Sequence, residues 1–550
     1  MDVTWEEPGP GQWDLDRSHG YGSATPITQR LMSETMEAGM RELFADFGMP
    51  ADTIGCRFVN GYMYNRLKPL IGADKPPRKP PPAFALKLAF KLHPELRRRG
   101  KRAKETVDNQ PWHEVIRHWR DVERPAIQQQ NLALQMVDLA SLDDAALADH
   151  VQVVYDHAHR LFQRHFVLHG HDLGPIGMLL LDCRNRWGIE PADVVPALRG
   201  ASPSTSEPAR MAARLREAVL ASGTTPDSLE DVRALGPALA GELDSYLQLK
   251  GQTMVSRYDV DGLRLIEMPD LVLATIVAGS DPDDDQGEAA AQALRALVPE
   301  ADRAELDRLL REARAAMDLR DDNGPTTAEW PLGLLRRALL EAGDRLQGRG
   351  ALVERDHVFE LDLAEVLALV RSQDGPTGDV AASRARRRAE LSTLTPPSTL
   401  GSPEPPPPAG AMPPATKRMI DIVQIVMEQL GGGKGSHDLS GSGVGTQPYR
   451  GRVRRALSAE QALDRLEPGE ILVVPYTTPA YNMVMPIAGG LVTSEGGPLS
   501  HASVIARELG IPAVIGAPGA LIRLHDGDEV EIDPAAGEVR ILQTADRAPV

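Results

Sequence analysis

The sequence predicts a multidomain α + α/β protein: a large, mostly helical domain over 1–391, a Pro/Gly-rich linker over 392–439, and a compact α/β domain over 440–550. Three observations predict it. Apolar residues recur at helical spacing through most of the first 391 residues. Pro403-Glu-Pro-Pro-Pro-Pro408 and Gly431-Gly-Gly-Lys-Gly435 then interrupt the chain. Beyond them, short β-rich runs alternate with short helical ones.

In the first domain, Thr35 to Phe47, Val151 to Leu168, Met211 to Ser222, Glu288 to Leu297, Pro299 to Met317 and Leu332 to Leu346 carry a period near 3.6. Turns such as Gly200-Ala-Ser-Pro203 and Asp281-Pro-Asp-Asp284 separate them. Between Leu86 and Lys104 the chain is basic and partly amphipathic, and Pro94 divides it into a helical hairpin. That stretch suits an acidic partner such as a nucleotide-domain subunit, contact with anionic lipid, or a solvated surface. In the linker, Lys417 to Leu430 reads as one helix between a semi-rigid Pro-rich spacer and a flexible Gly-rich one. The linker is expected either to let the last domain travel or to lie as an ordered connector on the surface.

In the last domain, Gly451 to Ala456 reads as a strand, and Ser458 with Gln461 as a capping box opening a helix to Leu466. Strands follow at Glu470 to Pro475 and Gly490 to Thr493, with Thr477-Thr478-Pro479 as a turn between them. Asp526-Gly527 and Asp533 to Gly537 are turns around strands at Asp528 to Ile532 and Val539 to Leu542. The most informative stretch is Gly496-Gly-Pro-Leu-Ser-His-Ala-Ser-Val-Ile-Ala-Arg-Glu-Leu-Gly-Ile-Pro512. A glycine turn delivers His501 to the first turn of a short helix. Ala502, Ile505, Ala506 and Leu509 give that helix an apolar stripe, and Gly510 and Pro512 stop it. At a helix N-terminus, free N–H groups and the macrodipole favour negative charge.

Composition narrows the function class. The chain has 550 residues, is 42% apolar, and carries a formal charge of −18. That balance speaks against nucleic-acid binding, whose footprint is basic. Two cysteines, Cys56 and Cys183, make neither a disulfide framework nor a cysteine-rich metal site. The N-terminus lacks the basic start and apolar core of a signal peptide, and no apolar run nears 18 residues. The expectation is a cytoplasmic protein with no stable membrane association.

The His501 stretch resembles the phosphohistidine, or swivelling, domain of the phosphoenolpyruvate-utilising enzymes, a family that includes phosphoenolpyruvate synthase, pyruvate phosphate dikinase and rifampicin phosphotransferase. The resemblance covers the whole last domain, including Pro468-Gly-Glu-Ile-Leu-Val-Val474, Thr478-Pro479 and Asp526-Gly-Asp-Glu-Val-Glu-Ile-Asp533. It implies that His501 is the phosphorylated residue and that Gly496, Gly497 and Ser500 support the phosphoryl group. Leu499 stands where many members carry Thr. Upstream, Trp13-Asp14 with His19, Val59-Asn60-Gly61-Tyr62, Glu267-x-Pro269, Arg320-Asp-Asp-Asn323 and Asp356-His-Val-Phe-Glu-Leu361 are similar to the acceptor-binding region of rifampicin phosphotransferase. Family members that use ATP begin with an ATP-grasp domain, for which this sequence offers no candidate. It also lacks a Gly-rich Lys-Ser/Thr phosphate loop. The resemblance therefore implies that ATP and Mg²⁺ act through a separate ATP-grasp subunit, and no cofactor is assigned to this chain.

The expected function is relay of a phosphoryl group through His501 to a small organic hydroxyl acceptor. A dehydratase or isomerase using His501 as general acid/base is the alternative, and a non-catalytic docking or regulatory protein the third. Substrate-binding candidates are Arg257 and Glu267 within Ser256 to Pro269, Arg320 and Asp322 in the second polar knot, and His169 and His171 beside Gly170 and Gly174. An arginine can hold an anionic acceptor and a carboxylate can take its proton. The family's Tyr-Gly-x-Arg reads Lys250-Gly251-Gln252-Thr253 here. His165 and His169 have the i, i+4 spacing of a zinc pair, yet no flanking Glu completes a site, and no metal is assigned. Arg507, six residues past His501, points about 120° around the axis from it and is expected to serve structure.

Overall fold

The computed structural model describes every residue except 1–2, 17–21, 76–78, 199, 256, 279–285, 406, 432–438, 458, 478–480, 482–483 and 546–550. His19, the turn Asp281 to Asp284, most of the Gly431 to Gly435 run, Ser458 of the capping box and the Thr478-Pro479 pair therefore lie outside the described residues. The chain forms two compact units. The first comprises Met1–Gly174, Arg257–Gly262 and Asn323–Asp421; the second comprises Pro175–Ser256, Leu263–Asp322 and Ile422–Val550. The fold is the expected combination of a large helical part and a C-terminal α/β domain, with helices contributing to both units.

In the first unit the periodic segments form helices, though longer than the sequence pattern alone marks. Thr35 to Phe47 belongs to Pro26–Phe47, whose Thr25 cap accepts from the Thr28 N–H and which stops at Gly48 with φ 65°. Val151 to Leu168 belongs to Asp144–Leu168, capped by Asp143. The basic stretch divides at Pro94 into Ala83–Leu92 and Pro94–Asn109.

Helical periodicity missed one component here, a four-stranded antiparallel sheet. Strands β1 (Gln12–Leu15), β2 (Ala51–Val59), β3 (Tyr62–Pro69) and β4 (Thr399–Gly401) pair in the order β2-β3-β1-β4. The β2/β3 turn is Asn60-Gly61, with φ 52° and 80°. Positive φ at both positions is what a two-residue hairpin turn needs, and Asn-Gly supplies it. Trp13, Tyr62, Tyr64 and Leu400 form the apolar cluster of this sheet.

Strand β4 lies within the expected linker, and that part of the linker is an ordered connector. The Tyr62 hydroxyl donates to the Leu391 and Leu394 carbonyls, and Tyr64 donates to Pro397. Glu404 pairs with buried Arg66 at 2.5 Å. The expected linker helix runs Pro414–Gly431, with Met419, Ile422, Ile425 and Val426 buried.

The second unit contains a seven-stranded sheet: β5 (Ser442–Val444), β6 (Tyr449–Arg455), β7 (Ile471–Val474), β8 (Gly490–Thr493), β9 (Ala513–Ile515), β10 (Glu529–Asp533) and β11 (Glu538–Gln543). Their order is β11-β10-β6-β7-β8-β9-β5, with β6 to β9 parallel. Every residue of β7 and β8 is buried. Alternate side chains feed two cores: Leu472, Val474 and Leu491 on one face, Ile471, Val473 and Val492 on the other. A sheet covered on both faces reads as near-continuous apolar runs, which the sequence displays. Ala502 and Ala506 join the first core, with Ile505 and Leu509 against it, so the expected stripe of the His501 helix faces the sheet.

Elsewhere in this unit, Met211, Leu215, Leu243, Val272 and Ile276 form a helical core that also receives Leu463. Cys56 and Cys183 are free and buried. No helix among the described residues is long and apolar enough to cross a membrane.

Candidate functional site

His501 opens the helix His501–Glu508. The Ser500 hydroxyl accepts from the Ser503 N–H at 3.4 Å, which makes Ser500 the cap. The turn before it is fixed by the Gly497 carbonyl, which accepts from the Ser500 N–H at 2.9 Å and from the Ser503 hydroxyl at 2.7 Å. Gly496 has φ 116°, and a Cβ there would sit 3.0 Å from both Ile515 Cγ2 and Ser500 Oγ. Only glycine fits that backbone comfortably. Arg507 reaches back from the helix, and its Nη2 donates to the Pro498 carbonyl at 3.2 Å. The arginine of the motif thus braces the loop that delivers the histidine.

The two nitrogens of the imidazole are in different environments. Nδ1 lies 2.9 Å from Thr477 Oγ1, just after β7. Nε2 is sealed from solvent and has no hydrogen-bond partner among the described residues. The residue as a whole keeps a part-exposed surface, so its electrostatics follow from the buried ring. Desolvation holds its pKa down at about 3. The ring is neutral at physiological pH, with one nitrogen oriented and the other unpaired at the positive end of a helix.

Residues 466–537 match the family described as PEP-utilising enzyme, mobile domain. This segment is similar to the mobile domain of the phosphoenolpyruvate-utilising enzymes. Related chains carry the likeness further. An uncharacterised protein of Mycobacterium tuberculosis is 38% identical over 216 residues, 38% of this chain and 22% of its own length. Chondramide synthase cmdD of Chondromyces crocatus is 26% identical over 582 aligned residues, 98% of this chain and 14% of that protein. Rifampicin phosphotransferase of Streptomyces sviceus is 32% identical over 207 residues, 38% of this chain and 21% of that enzyme. The chain therefore spans between 14% and 22% of the length of these relatives.

The α/β domain brings His501, Gly496, Gly497 and Ser500 into one turn. Two of their expected roles have visible structural occupations. The carbonyl of Gly497 and the oxygen of Ser500 are engaged in building the turn itself.

The substrate-binding candidates are engaged in local networks of their own. Arg257 belongs to the first unit and Glu267 to the second. Arg257 pairs with Asp261 in an ionic knot that also takes Arg388, 2.6 Å from both Asp261 and Glu360. Asp259 beside it accepts from the Thr25 hydroxyl and N–H and from the Thr28 hydroxyl. Burial and the neighbouring Asp261 raise the Asp259 pKa. This knot ties residues 23–28, 257–262 and 360–388 together, and Arg257 has a structural task in it. Glu267 closes a capping box on the turn Leu265–Glu267 and pairs with Arg264 at 2.9 Å. Asp322 is buried near the end of Arg303–Gly324, and Nη2 of Arg320 on the same helix donates to the Leu499 carbonyl at 3.2 Å.

The histidine-rich segment is mostly internal. His157 lies 2.7 Å from Asn131 Oδ1, and His165 lies 3.2 Å from Thr327 Oγ1. The rings of His165 and His169 meet edge to face at 4.5 Å. His171 is 5% exposed, stands edge-on to Phe47 at 5.1 Å, and has an Nδ1 without a partner among the described residues. Burial first, then the charge of Arg164, lowers its pKa to about 4. No group of three His, Cys, Asp or Glu among the described residues is placed to hold a metal ion.

Three residues escaped the sequence reading: Thr477, Ser503 and Gln429, whose carbonyl accepts from the Leu499 N–H at 2.9 Å. Thr477 read as a turn residue only. Its partner is 24 positions away, and local spacing carries no signal for such a pair. Ser503 was legible in principle, because a hydroxyl two residues into a helix behind a glycine turn can reach back to the turn carbonyl.

Proposed function

We propose that this chain is the acceptor and carrier portion of a phosphotransferase. It relays a phosphoryl group through Nε2 of His501 to a small organic hydroxyl compound, and a separate ATP-grasp subunit binds ATP and Mg²⁺ and acts as donor. Residues 1–391 bind the acceptor, 392–439 link, and 440–550 carry the phosphoryl group. The observation that carries this reading is the asymmetric His501 ring, with Nδ1 held by Thr477 and Nε2 without a partner among the described residues at a helix N-terminus.

In the reactive tautomer, the Nδ1 N–H donates to Thr477 Oγ1 and leaves a lone pair on Nε2. That lone pair attacks the terminal phosphorus of the donor. The N–P bond forms as the bridging P–O bond breaks, and its electron pair leaves on the nucleoside diphosphate. The acceptor oxygen then attacks phosphorus in line. Its proton passes to a base, the N–P bond breaks, and the electron pair returns to Nε2. The helix N-terminus favours the anionic intermediate.

The depressed pKa supports this reading over acid/base catalysis. A ring with a pKa of about 3 is not an imidazolium at neutral pH, so it has no acidic second proton to give and is a weak base, whereas its neutral form is the one a nucleophile needs. The test is the intact mass of the full chain after incubation with ATP and Mg²⁺ in clarified host lysate, recorded near neutral pH. A gain of one phosphoryl group on wild type and none on His501→Ala is expected. No gain on wild type, in a lysate that loads a control carrier, refutes the reading.

A further inference from the structure

We infer that Arg320 and the Gln429 carbonyl form a latch on the carrier loop, holding His501 in a closed state that the protein must leave to take up a phosphoryl group. The inference rests on the carrier reading above and adds a gate to it.

Leu499 lies two residues before His501, and both its backbone groups are held from outside the α/β domain. Its N–H donates to the Gln429 carbonyl at 2.9 Å, and its carbonyl accepts from Arg320 Nη2 at 3.2 Å. Its side chain is only 2% exposed. One residue earlier, the Pro498 carbonyl is held by Arg507. Gln429 is among the last four residues of Pro414–Gly431, whose carbonyls have no partner within the helix. The Leu499 N–H thus takes an acceptor the helix leaves unused. The Arg320 bond is charge-assisted, stronger than a neutral one, and comes from a second helix, Arg303–Gly324.

The consequence appears at Nε2. A phosphoryl group adds three oxygens and a charge of nearly −2, and each oxygen requires space and donors. Nε2 in this arrangement is sealed and faces no hydrogen-bond partner among the described residues. The loop held by the latch therefore cannot present Nε2 to a donor. Arg320, expected from sequence to bind the acceptor, acts here as a positioning residue for His501. Latch release at Leu499 is the step that exposes the nucleophile.

The test uses the full chain, diethyl pyrocarbonate as probe of accessible unprotonated imidazole, and amide hydrogen exchange. Arg320→Ala is expected to speed modification of His501 at least about tenfold. It should also speed exchange in the 496–505 segment, while the exposed His525 reacts at the wild-type rate. Arg320→Gln, too short to reach Leu499 with an equivalent donor, should shift both readouts the same way, and serves alone if the alanine variant does not fold. Wild-type rates of His501 modification and of 496–505 exchange in a folded variant overturn the latch. Accelerated exchange spread over the whole chain overturns it too, because that marks general destabilisation. Neither readout needs a phosphoryl donor, so a failed latch leaves the carrier reading standing. A failed mass gain with these shifts intact leaves a gated histidine of another use.

Discussion

Two buried histidines invite comparison. His171 in the helical unit and His501 in the α/β domain both have a lowered pKa, about 4 and about 3, and each has one ring nitrogen without a partner among the described residues. Burial alone therefore does not mark a reactive histidine. The difference lies in what surrounds each ring. His171 sits in the bend between Asp144–Leu168 and Leu173–Trp187, edge-on to Phe47. His501 stands at a helix N-terminus behind a positive-φ glycine, with its other nitrogen oriented by Thr477 and its loop tied down at Pro498 and Leu499. One ring fills space; the other is aimed.

The sharpest way to break that comparison is to remove each ring in turn. His501→Ala should cut phosphoryl uptake by more than about 10³-fold, since no other group replaces the nucleophile. His171→Phe should leave uptake within about twofold, because an apolar ring of similar shape meets Phe47 without an unpaired nitrogen. Loss of uptake in the His171 variant, with the fold intact by circular dichroism, would merge the two sites into one.

A smaller effect isolates the aiming. Thr477→Val removes the partner of Nδ1 while keeping the volume. It should slow uptake by about tenfold to a hundredfold, with Thr477→Ser largely restoring the rate. Equal rates for the valine and serine variants would remove Thr477 from the account.

Acid stability sharpens the comparison from the His171 side. The folded pKa of about 4 lies below the ordinary value near 6.5, so the unfolded chain takes up this proton first. The contribution to stability is complete above about pH 6.5 and is lost as pH falls towards 4. It amounts to roughly 3.5 kcal/mol at most, from about 1.4 kcal/mol per pH unit. Denaturant melts of His171→Phe between pH 7 and 4.5 should therefore show a flatter pH dependence than wild type. An identical slope would mean that His171 titrates normally. His157, with a pKa lowered to about 4 by burial, contributes a further slope in the same direction and serves as the internal reference.

The smallest expected effect concerns Glu267. It closes a capping box and pairs with Arg264, so Glu267→Ala should lower stability by about 1 kcal/mol and leave uptake onto His501 unchanged. A collapse of uptake in thermal-shift-normal protein would return Glu267 to the site.

These contrasts track how much of the molecule was legible in its sequence. The His501 helix was legible because its determinants are local: a glycine turn, a capping Ser500, and the Ala502, Ile505, Ala506, Leu509 stripe that meets the sheet. The parallel strands β7 and β8 were legible as continuous apolar runs. The N-terminal sheet was missed although Asn60-Gly61 is a strong hairpin signal, because its strands lie among long helices and β4 comes from more than 300 residues away. The linker's anchorage through Tyr62, Tyr64 and Arg66 was invisible for the same reason of sequence distance. The substrate-binding candidates Arg257 and Glu267 are ten residues apart in sequence but in different units. The chain crosses between units within that span, and each residue has a local partner, Asp261 for Arg257 and Arg264 for Glu267.

The central claim is that Nε2 of His501 carries the phosphoryl group while Nδ1 stays protonated on Thr477. Long-range ¹H–¹⁵N correlation spectra of the phosphorylated, ¹⁵N-histidine-labelled full chain at neutral pH test it directly. Phosphorus coupling on Nε2 of His501, with a protonated Nδ1, is the predicted result. Phosphorus on Nδ1, or on a histidine other than His501, would contradict it.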